Sequence, residues 1–109
     1  MDEDDLRRLE AVGSRVEFEA GKVLIEHGQP GTGVFVVVKG HLVVEAPEGA
    51  RELGPGSVVG ERAVLSADAR RTARVRALSD VVVVAVERAA IDRLSAEDPA
   101  FAERLARVS

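Results

Sequence analysis

Residues 34–56, which read VFVVVKGHLVVEAPEGARELGPG, decide the fold that this sequence predicts. The run at 34–38 is mostly β-branched and too short for a packed helix, so it predicts a strand. Turn residues follow at 39–40, 47–49 and 54–56, with short apolar segments between them. Closely spaced strands with Gly or Pro turns indicate an antiparallel barrel or jelly roll and not a series of βαβ units.

The strand pattern continues on both sides of this stretch. Val16 and Phe18 alternate with charged residues, and Gly21 ends that run. Apolar runs bounded by turns predict the remaining strands, at 22–26, 41–45, 51–53, 72–77 and 81–86. We therefore expect a β-roll over about residues 15–87.

Helical spacing appears before this roll. Leu6, Leu9 and Val12 recur at the period of a helix, and the acidic residues at 2–5 suit the positive end of its dipole. Gly13 is a candidate C-cap for this helix.

Helical spacing also returns after the roll. Ile91 and Leu94 share one face of a predicted helix at 88–95. Asp98 and Pro99 then resemble an N-cap followed by proline at the first helical position. The apolar stripe of that last helix comprises Phe101, Leu105 and Val108.

The predicted architecture is one mainly β domain that spans residues 1–109. It is an antiparallel, jelly-roll-like β-roll with an N-terminal helix, a short helix after Gly60 and C-terminal helices at about 88–108. A chain of 109 residues fits a single domain, and 46% hydrophobic with 31% charged residues is a globular balance.

Composition excludes several classes of protein. The chain contains no cysteine, which excludes a disulfide framework, a zinc-thiolate cluster and a thiol nucleophile. It has no long apolar run and begins with acidic residues instead of a basic signal peptide, so we expect a cytoplasmic protein with no membrane partner. Three Phe, no Tyr or Trp and a net charge of −4 argue against direct nucleic-acid binding.

Positive charge is concentrated near the end of the predicted roll. Residues 61–77 hold five arginines against one glutamate and one aspartate, although the whole chain carries −4. A compact positive region in an acidic chain suggests a small anionic ligand. The alternative is a solvated strand with an arginine-rich outer face, which the alternation of Arg70, Arg74 and Arg76 also fits.

The residues around Gly60 favour a particular anion. Gly60 permits a close backbone approach, and a helical turn after it would direct free N–H groups at a phosphate. Arg71 could supply a bidentate guanidinium to the same phosphate. Glu61 would repel a simple anion but would accept a hydrogen bond from a ribose hydroxyl, so the combination indicates a nucleotide.

At this point the sequence resembles the cyclic nucleotide-binding domain family, which includes the bacterial catabolite activator and the regulatory subunits of protein kinase A. The resemblance covers about residues 6–105. Its most specific part is similar to the family's phosphate-binding cassette, here 60–65 followed by 71–73. The glycines that frame it are Gly21, Gly28, Gly40, Gly56 and Gly60.

The resemblance implies a role for each matching residue. Glu61 would accept the ribose 2′-hydroxyl, and Arg71 would pair with the cyclic phosphate. Gly60 and the backbone after it would approach the sugar and phosphate, with the N–H of Ala63 donating to a phosphate oxygen. Thr72 would add a hydroxyl to the phosphate or to a purine edge.

Further residues complete the expected site. Arg62 and Ala73 belong to the same ligand-binding set, and Val37, Val59 and Val75 are candidates for the pocket walls. The expected ligand is cyclic AMP or cyclic GMP, without a cofactor, a metal or a catalytic residue. The role implied is that of a regulatory sensor in signal transduction.

Some positions depart from the family pattern. Val59 stands where an aromatic residue is frequent, and Arg62 where an apolar one is usual. Either Arg70 or Arg71 could occupy the arginine position of the cassette. We assign that position to Arg71 because residues 72–73 follow it directly. Since the sequence stops at Ser109, we expect either a stand-alone sensor or a truncated module. Its output protein partner and its oligomeric state, with a monomer as one option, remain open.

Two alternative functions are considered. In a degenerate domain that binds a protein instead of a nucleotide, Glu61 and Arg71 would form a structural ion pair. A small metal enzyme of the cupin type would need clustered histidines, and the chain has only His27 and His41. Serine-hydrolase, Walker and dinucleotide motifs are missing, so we do not expect an enzyme.

Overall fold

The computed structural model of this chain describes residues 1–26, 33–60 and 73–107. Its helices are α1 (Glu3–Val12), α2 (Arg88–Glu97) and α3 (Pro99–Ala106). Its strands are β1 (Ser14–Phe18), β2 (Val23–Ile25), β3 (Gly33–Lys39), β4 (Leu42–Ala46), β5 (Gly49–Leu53), β6 (Val58–Val59), β7 (Arg74–Ala77) and β8 (Val81–Glu87). The predicted order of helix, β-roll, helix and helix is confirmed, and β6 is an addition to the predicted strands.

The strands form two antiparallel sheets. The helix-side sheet has the order β1-β8-β3-β6, and the outer sheet has the order β2-β7-β4-β5. In the helix-side sheet, β8 pairs with both β1 and β3, for example through Val16↔Val83 and Val36↔Val84. The mainly β roll with flanking helices is therefore confirmed.

Each face of the helix-side sheet contributes to a different core. Alternate residues of β3 and β8 point toward the helices or toward the outer sheet, because successive strand residues face opposite ways. The helical cluster lies on the helix side and comprises Leu9, Val34, Val36, Val58, Val84, Val86, Ala90, Ile91, Leu94, Phe101 and Leu105. The roll cluster lies between the sheets and comprises Ile25, Val37, Leu42, Val59, Val75, Ala77, Val81 and Val83. In β3 and β8 both faces are largely buried, which explains their continuous valine runs.

Helix α1 begins as the sequence predicts but ends for a different reason. The side chain of Asp2 accepts a hydrogen bond from the Asp5 N–H at 2.9 Å, which caps the helix. Gly13 is the C-cap residue, as the sequence predicts, but its backbone is extended, with φ −104°, and does not have the left-handed geometry of a glycine cap. A Cβ at Gly13 would lie 2.7 Å from the carbonyl oxygen of Ala85, so close packing on β8 is what requires glycine there.

The junction between α2 and α3 confirms the predicted cap position but not a capping side chain. Asp98 is the N-cap residue of α3 and Pro99 starts the helix, but the Asp98 carboxylate accepts no capping hydrogen bond from the backbone of this helix. Its carboxylate instead accepts hydrogen bonds from Arg8 and Arg104. Phe101 and Leu105 are fully buried as predicted, whereas Val108 lies outside the described residues.

Candidate functional site

Gly60, the first residue of the predicted cassette, lies at the end of β6. Its φ of +91° falls in a region that glycine occupies readily and other residues avoid. The strand before it consists of Val58 and Val59, which pair with Val36 and Phe35 of β3. The chain therefore leaves a buried, hydrogen-bonded strand at the position where the sequence predicts phosphate and sugar contacts.

Ala73 lies at the other end of the predicted cassette, directly before β7. β7 occupies an internal position in the outer sheet, between β2 and β4. The predicted ligand-binding segment thus starts from the helix-side sheet and returns to the outer sheet. Between these two anchors lie the candidates outside the described residues, which are Glu61, Arg62, Ala63, Arg71 and Thr72.

The three candidate wall residues belong to the roll cluster. Val37, Val59 and Val75 come from β3, β6 and β7, and all three are buried. The structure brings them into one apolar cluster between the two sheets. They therefore support the interior of the roll beneath the ends of the cassette.

Two of the arginines that concentrate positive charge have acidic partners on the outer sheet. The Nε of Arg74 donates to the Oε1 of Glu26 at 2.9 Å, and the Nε of Arg76 donates to the Oε1 of Glu45 at 3.3 Å. These side chains are substantially solvated, and Val75 and Ala77 alternate with them on the buried face. The contacts at these two positions agree with the interpretation of a solvated, arginine-rich outer face.

The most buried charge in the described part of the chain was not anticipated as an interacting group. The side chain of Asp5 is 2% exposed and accepts two hydrogen bonds from Arg104, at 2.7 Å from Nε to Oδ2 and at 2.9 Å from Nη2 to Oδ1. Arg104 also donates to Asp98 at 2.9 Å, and Arg8 donates to Asp98 at 3.2 Å and to Asp5 at 3.4 Å. We call Asp5, Arg8, Asp98 and Arg104 the charged cluster.

The charged cluster changes the proton affinity of its members. Hydrogen bonds from Arg104, assisted by the positive charges of Arg104 and Arg8, hold the pKa of the Asp5 carboxyl below its usual value despite burial. The same two arginines lower the pKa of Asp98. In return, the hydrogen bonds to Asp5 and Asp98 raise the pKa of Arg104.

A sequence signal for this cluster existed but was ambiguous. Asp5 stands four residues before Leu9, so both lie on the same face of α1, and Leu9 is fully buried. An acidic residue in a first helical turn is also explained by the helix dipole, which requires no partner. Only the packing of α1 against α3 distinguishes the two explanations.

The positions of the described His, Asp and Glu residues bear on metal binding. Those residues contain no group of three or more His, Asp or Glu side chains arranged to hold a metal ion. His41 is exposed, with its backbone N–H donating to Ser79 Oγ at 3.1 Å, and His27 lies outside the described residues.

Among the described helices, none is long and apolar enough to cross a membrane.

The described part of the chain is an antiparallel roll of two sheets with helices packed on one of them, and Gly60 and Ala73 lie at the ends of the segment between β6 and β7. The chain belongs to the cyclic nucleotide-binding domain family, which it matches over residues 15–98. This family generally binds ligands instead of catalysing reactions, which agrees with the prediction of a binding module.

Individual relatives support this membership. The chain is 34% identical to a cyclic nucleotide-gated potassium channel of Rhizobium etli, over 79% of this chain and 24% of the channel. It is 27% identical to a CRP-like cAMP-activated global transcriptional regulator of Mycobacterium tuberculosis, over 85% of this chain and 44% of the regulator. The chain thus spans less than half the length of these two curated relatives.

A solved structure gives the corresponding comparison of folds. It comes from work on a cyclic-GMP-dependent signalling pathway that regulates bacterial phytopathogenesis, and it superimposes with a TM-score of 0.87. The two sequences are 30% identical, and the match covers 98% of this chain and 89% of the other. The similarity therefore includes the helices as well as the roll.

Proposed function

We propose that this chain is a sensor that binds cyclic AMP or cyclic GMP and passes the binding event to a protein partner. The observation that carries this proposal is the placement of Gly60 and Ala73. In a member of the cyclic nucleotide-binding family, they anchor the two ends of the cassette to β6 and β7. A segment held by a paired strand at each end is a suitable place for preorganised ligand contacts.

The proposed contacts involve two parts of the ligand, the cyclic phosphate and the ribose with its purine base. Arg71 pairs bidentately with the cyclic phosphate, and backbone N–H groups after Gly60, including that of Ala63, donate to its oxygens. Glu61 accepts a hydrogen bond from the ribose 2′-hydroxyl. Thr72 contacts the phosphate or the purine edge, and it is compatible with adenine and with guanine.

The charges of the described residues support the choice of Arg71 as the phosphate ligand. Arg74 and Arg76, the next arginines along the chain, are engaged by Glu26 and Glu45 on the outer sheet. Each pair is nearly neutral and solvated, so neither arginine offers an uncompensated charge to a ligand. This pairing supports the choice of Arg71 in the cassette over the two arginines of β7 as the phosphate ligand.

Strand β6 is the proposed route by which ligand binding reaches the helices, because its two residues belong to different clusters. Val59 belongs to the roll cluster, whereas Val58 belongs to the helical cluster that includes Phe101 and Leu105. A ligand that draws the segment after Gly60 inward also acts on the layer that holds α2 and α3. The ligand shifts that equilibrium only by its differential affinity for the two arrangements.

Calorimetric titration of the chain with cyclic AMP and then with cyclic GMP tests the proposal. We expect saturable one-to-one binding, with the tighter of the two nucleotides identifying the physiological ligand. Arg71→Ala should weaken binding roughly thirtyfold to several thousandfold, or about 2–5 kcal/mol, while the fold stays intact.

Two matched variants make this titration specific. Arg70→Ala tests the neighbouring arginine, and Arg74→Ala removes a guanidinium that is already paired with Glu26. Both should bind nucleotide nearly as well as the unaltered chain. If the folded chain releases no heat with either nucleotide at millimolar concentration, the nucleotide proposal is wrong and a protein-binding role for a degenerate domain gains support.

A further inference from the structure

The charged cluster is distant in sequence from the cassette, and the proposed ligand contacts do not use it. We infer that Asp5 and Arg104 are positioning residues for the nucleotide site, because they fix the helical layer on which β6 and Gly60 depend. This inference rests on the proposed function, and it predicts tighter binding when the charged cluster is intact.

The first step is the attachment of α3 to α1. Asp5 and Arg104 are 99 positions apart and share two hydrogen bonds in a fork geometry, of 2.7 and 2.9 Å. A fork of this kind restrains orientation as well as distance, which a single contact between flexible side chains does not. Because Asp5 is almost completely buried, the bond cannot be replaced by water without opening the helical layer.

The second step is the attachment of the α2–α3 junction. Asp98 lies between these two helices and accepts hydrogen bonds from Arg8 of α1 and Arg104 of α3. The guanidinium carbon of Arg8 also lies 5.1 Å from the centre of the Phe101 ring, within the range of a cation–π contact. The cluster thus holds α1 and the beginning and end of α3 in one arrangement.

The third step leads from the helices to the sheet. Phe101 and Leu105 of α3 and Leu9 of α1 share the helical cluster with Val58 of β6. Protein interiors are close-packed, so a displacement of helices in a cluster is transmitted to the other members. Because Val58 shares this cluster with α3, we expect a displacement of α3 to reach Val58 through the shared core.

The fourth step concerns β6 itself. In the described part of the chain, β6 has two residues and pairs with one strand, β3. Just before β6, the Gly56 N–H donates to the Val37 oxygen at 2.8 Å and the Val37 N–H donates to the Ser57 oxygen at 2.9 Å. The position of β6 therefore depends on its bonds to β3 and on the packing of Val58 on one side and Val59 on the other. A loosened helical layer leaves Gly60 less well placed, and the ligand must then order the segment on binding, which lowers affinity.

Asp5→Asn tests the inference, and Asp4→Asn is its matched control. The two residues are adjacent in α1 and lose the same charge, but the side chain of Asp4 is 83% exposed and its nearest partner is the exposed Arg7. We expect Asp5→Asn to weaken binding of the preferred cyclic nucleotide by about fivefold or more, and Asp4→Asn by less than about twofold. Equal affinities for the two variants would overturn the inference.

A second pair of variants covers the case in which Asp5→Asn does not fold. Arg104→Lys keeps the charge but removes the fork, and Arg107→Lys makes the same change at an exposed position one turn later. We expect Arg104→Lys, and not Arg107→Lys, to weaken nucleotide binding. Indistinguishable affinities for this pair also count against the inference.

Amide hydrogen exchange without nucleotide separates positioning from general stability. Between the Asp5→Asn and Asp4→Asn chains, exchange at residues 58–60 should accelerate at least about threefold more than exchange in β4 and β7, whose rates report the loss of global stability. Equal acceleration in both sheets would show a purely structural role and would overturn the inference. If the unaltered chain binds neither nucleotide, the proposed function fails, and the exchange rates alone decide whether Asp5 positions β6.

Discussion

Gly13 lies so close to β8 that its Cα faces the Val84 side chain and the Ala85 carbonyl oxygen with no room for a methyl group. An added Cβ would meet the Ala85 oxygen at 2.7 Å and Cγ2 of Val86 at 2.9 Å, and Cγ1 of Val84 would be closer still. The absent side chain lets the end of α1 pack directly on the helix-side sheet.

Gly13→Ala should therefore destabilise the fold through a steric clash. We expect urea unfolding to give a loss of about 1–3 kcal/mol in the free energy of unfolding. Val84→Ala should relieve part of the clash, so the double variant should lose less than the sum of the single losses. A Gly13→Ala chain as stable as the unaltered one would show that the close approach is not rigid.

Asp5→Asn should lower stability because it weakens a buried, charge-assisted pair. Removal of the negative charge leaves Arg104 with a poorer acceptor, and we expect a loss of about 2 kcal/mol in the free energy of unfolding. Asp4→Asn, at an 83% exposed side chain, should change it by less than about 0.5 kcal/mol. Denaturant midpoints of the two variants at neutral pH provide the measurement.

Acid should remove the contribution of the charged cluster. The folded chain holds the pKa values of Asp5 and Asp98 below the usual 3.8, so their stabilisation is fully present above that pH. This stabilisation is lost progressively as the pH falls through the lowered pKa values, because protonation of the two carboxylates then breaks the ion pairs of the folded state. The stability difference between the unaltered chain and Asp5→Asn should thus be constant from neutral pH to about 5 and should shrink below about 4. A difference that persists undiminished at low pH would argue against a charge-based role for Asp5.

Gly60→Ala should reduce nucleotide affinity more than a similar change at Gly56. The two glycines have φ values of +91° and +89°, so alanine imposes similar backbone strain at each, about 1–2 kcal/mol. Gly56 lies in the turn before β6, whereas Gly60 begins the proposed ligand-binding segment. Calorimetry should show a loss of affinity of about tenfold or more for Gly60→Ala and little change for Gly56→Ala. Comparable losses would indicate that strain in the loop, and not ligand contact, controls affinity.

Most strands could be predicted from sequence because their signals are local. The valine run of β3 and the alternation of Val16 and Phe18 in β1 mark strands without knowledge of their partners. β6 escaped prediction because two residues are too few to establish a period, and only their pairing with Phe35 and Val36 identifies a strand. Asp98 shows a related limit of local patterns. The pattern of Asp98 and Pro99 correctly predicted the start of a helix, but the hydrogen bonds of the Asp98 carboxylate to Arg8 and Arg104 depend on the tertiary structure.

The sequence by itself determined the order of the helices and of every strand except β6 in the described part of the chain, and the family to which the chain belongs. These depend on hydrophobic period, turn residues and motif spacing, all of which are contained within short segments. The tertiary structure alone decided that Asp5 pairs with Arg104 and that Gly13 serves close packing instead of a left-handed cap. It also decided that Val58 and Val59 face two different cores. Each depends on which segments meet in space, and contacts between residues 99 positions apart have no local signature in the sequence.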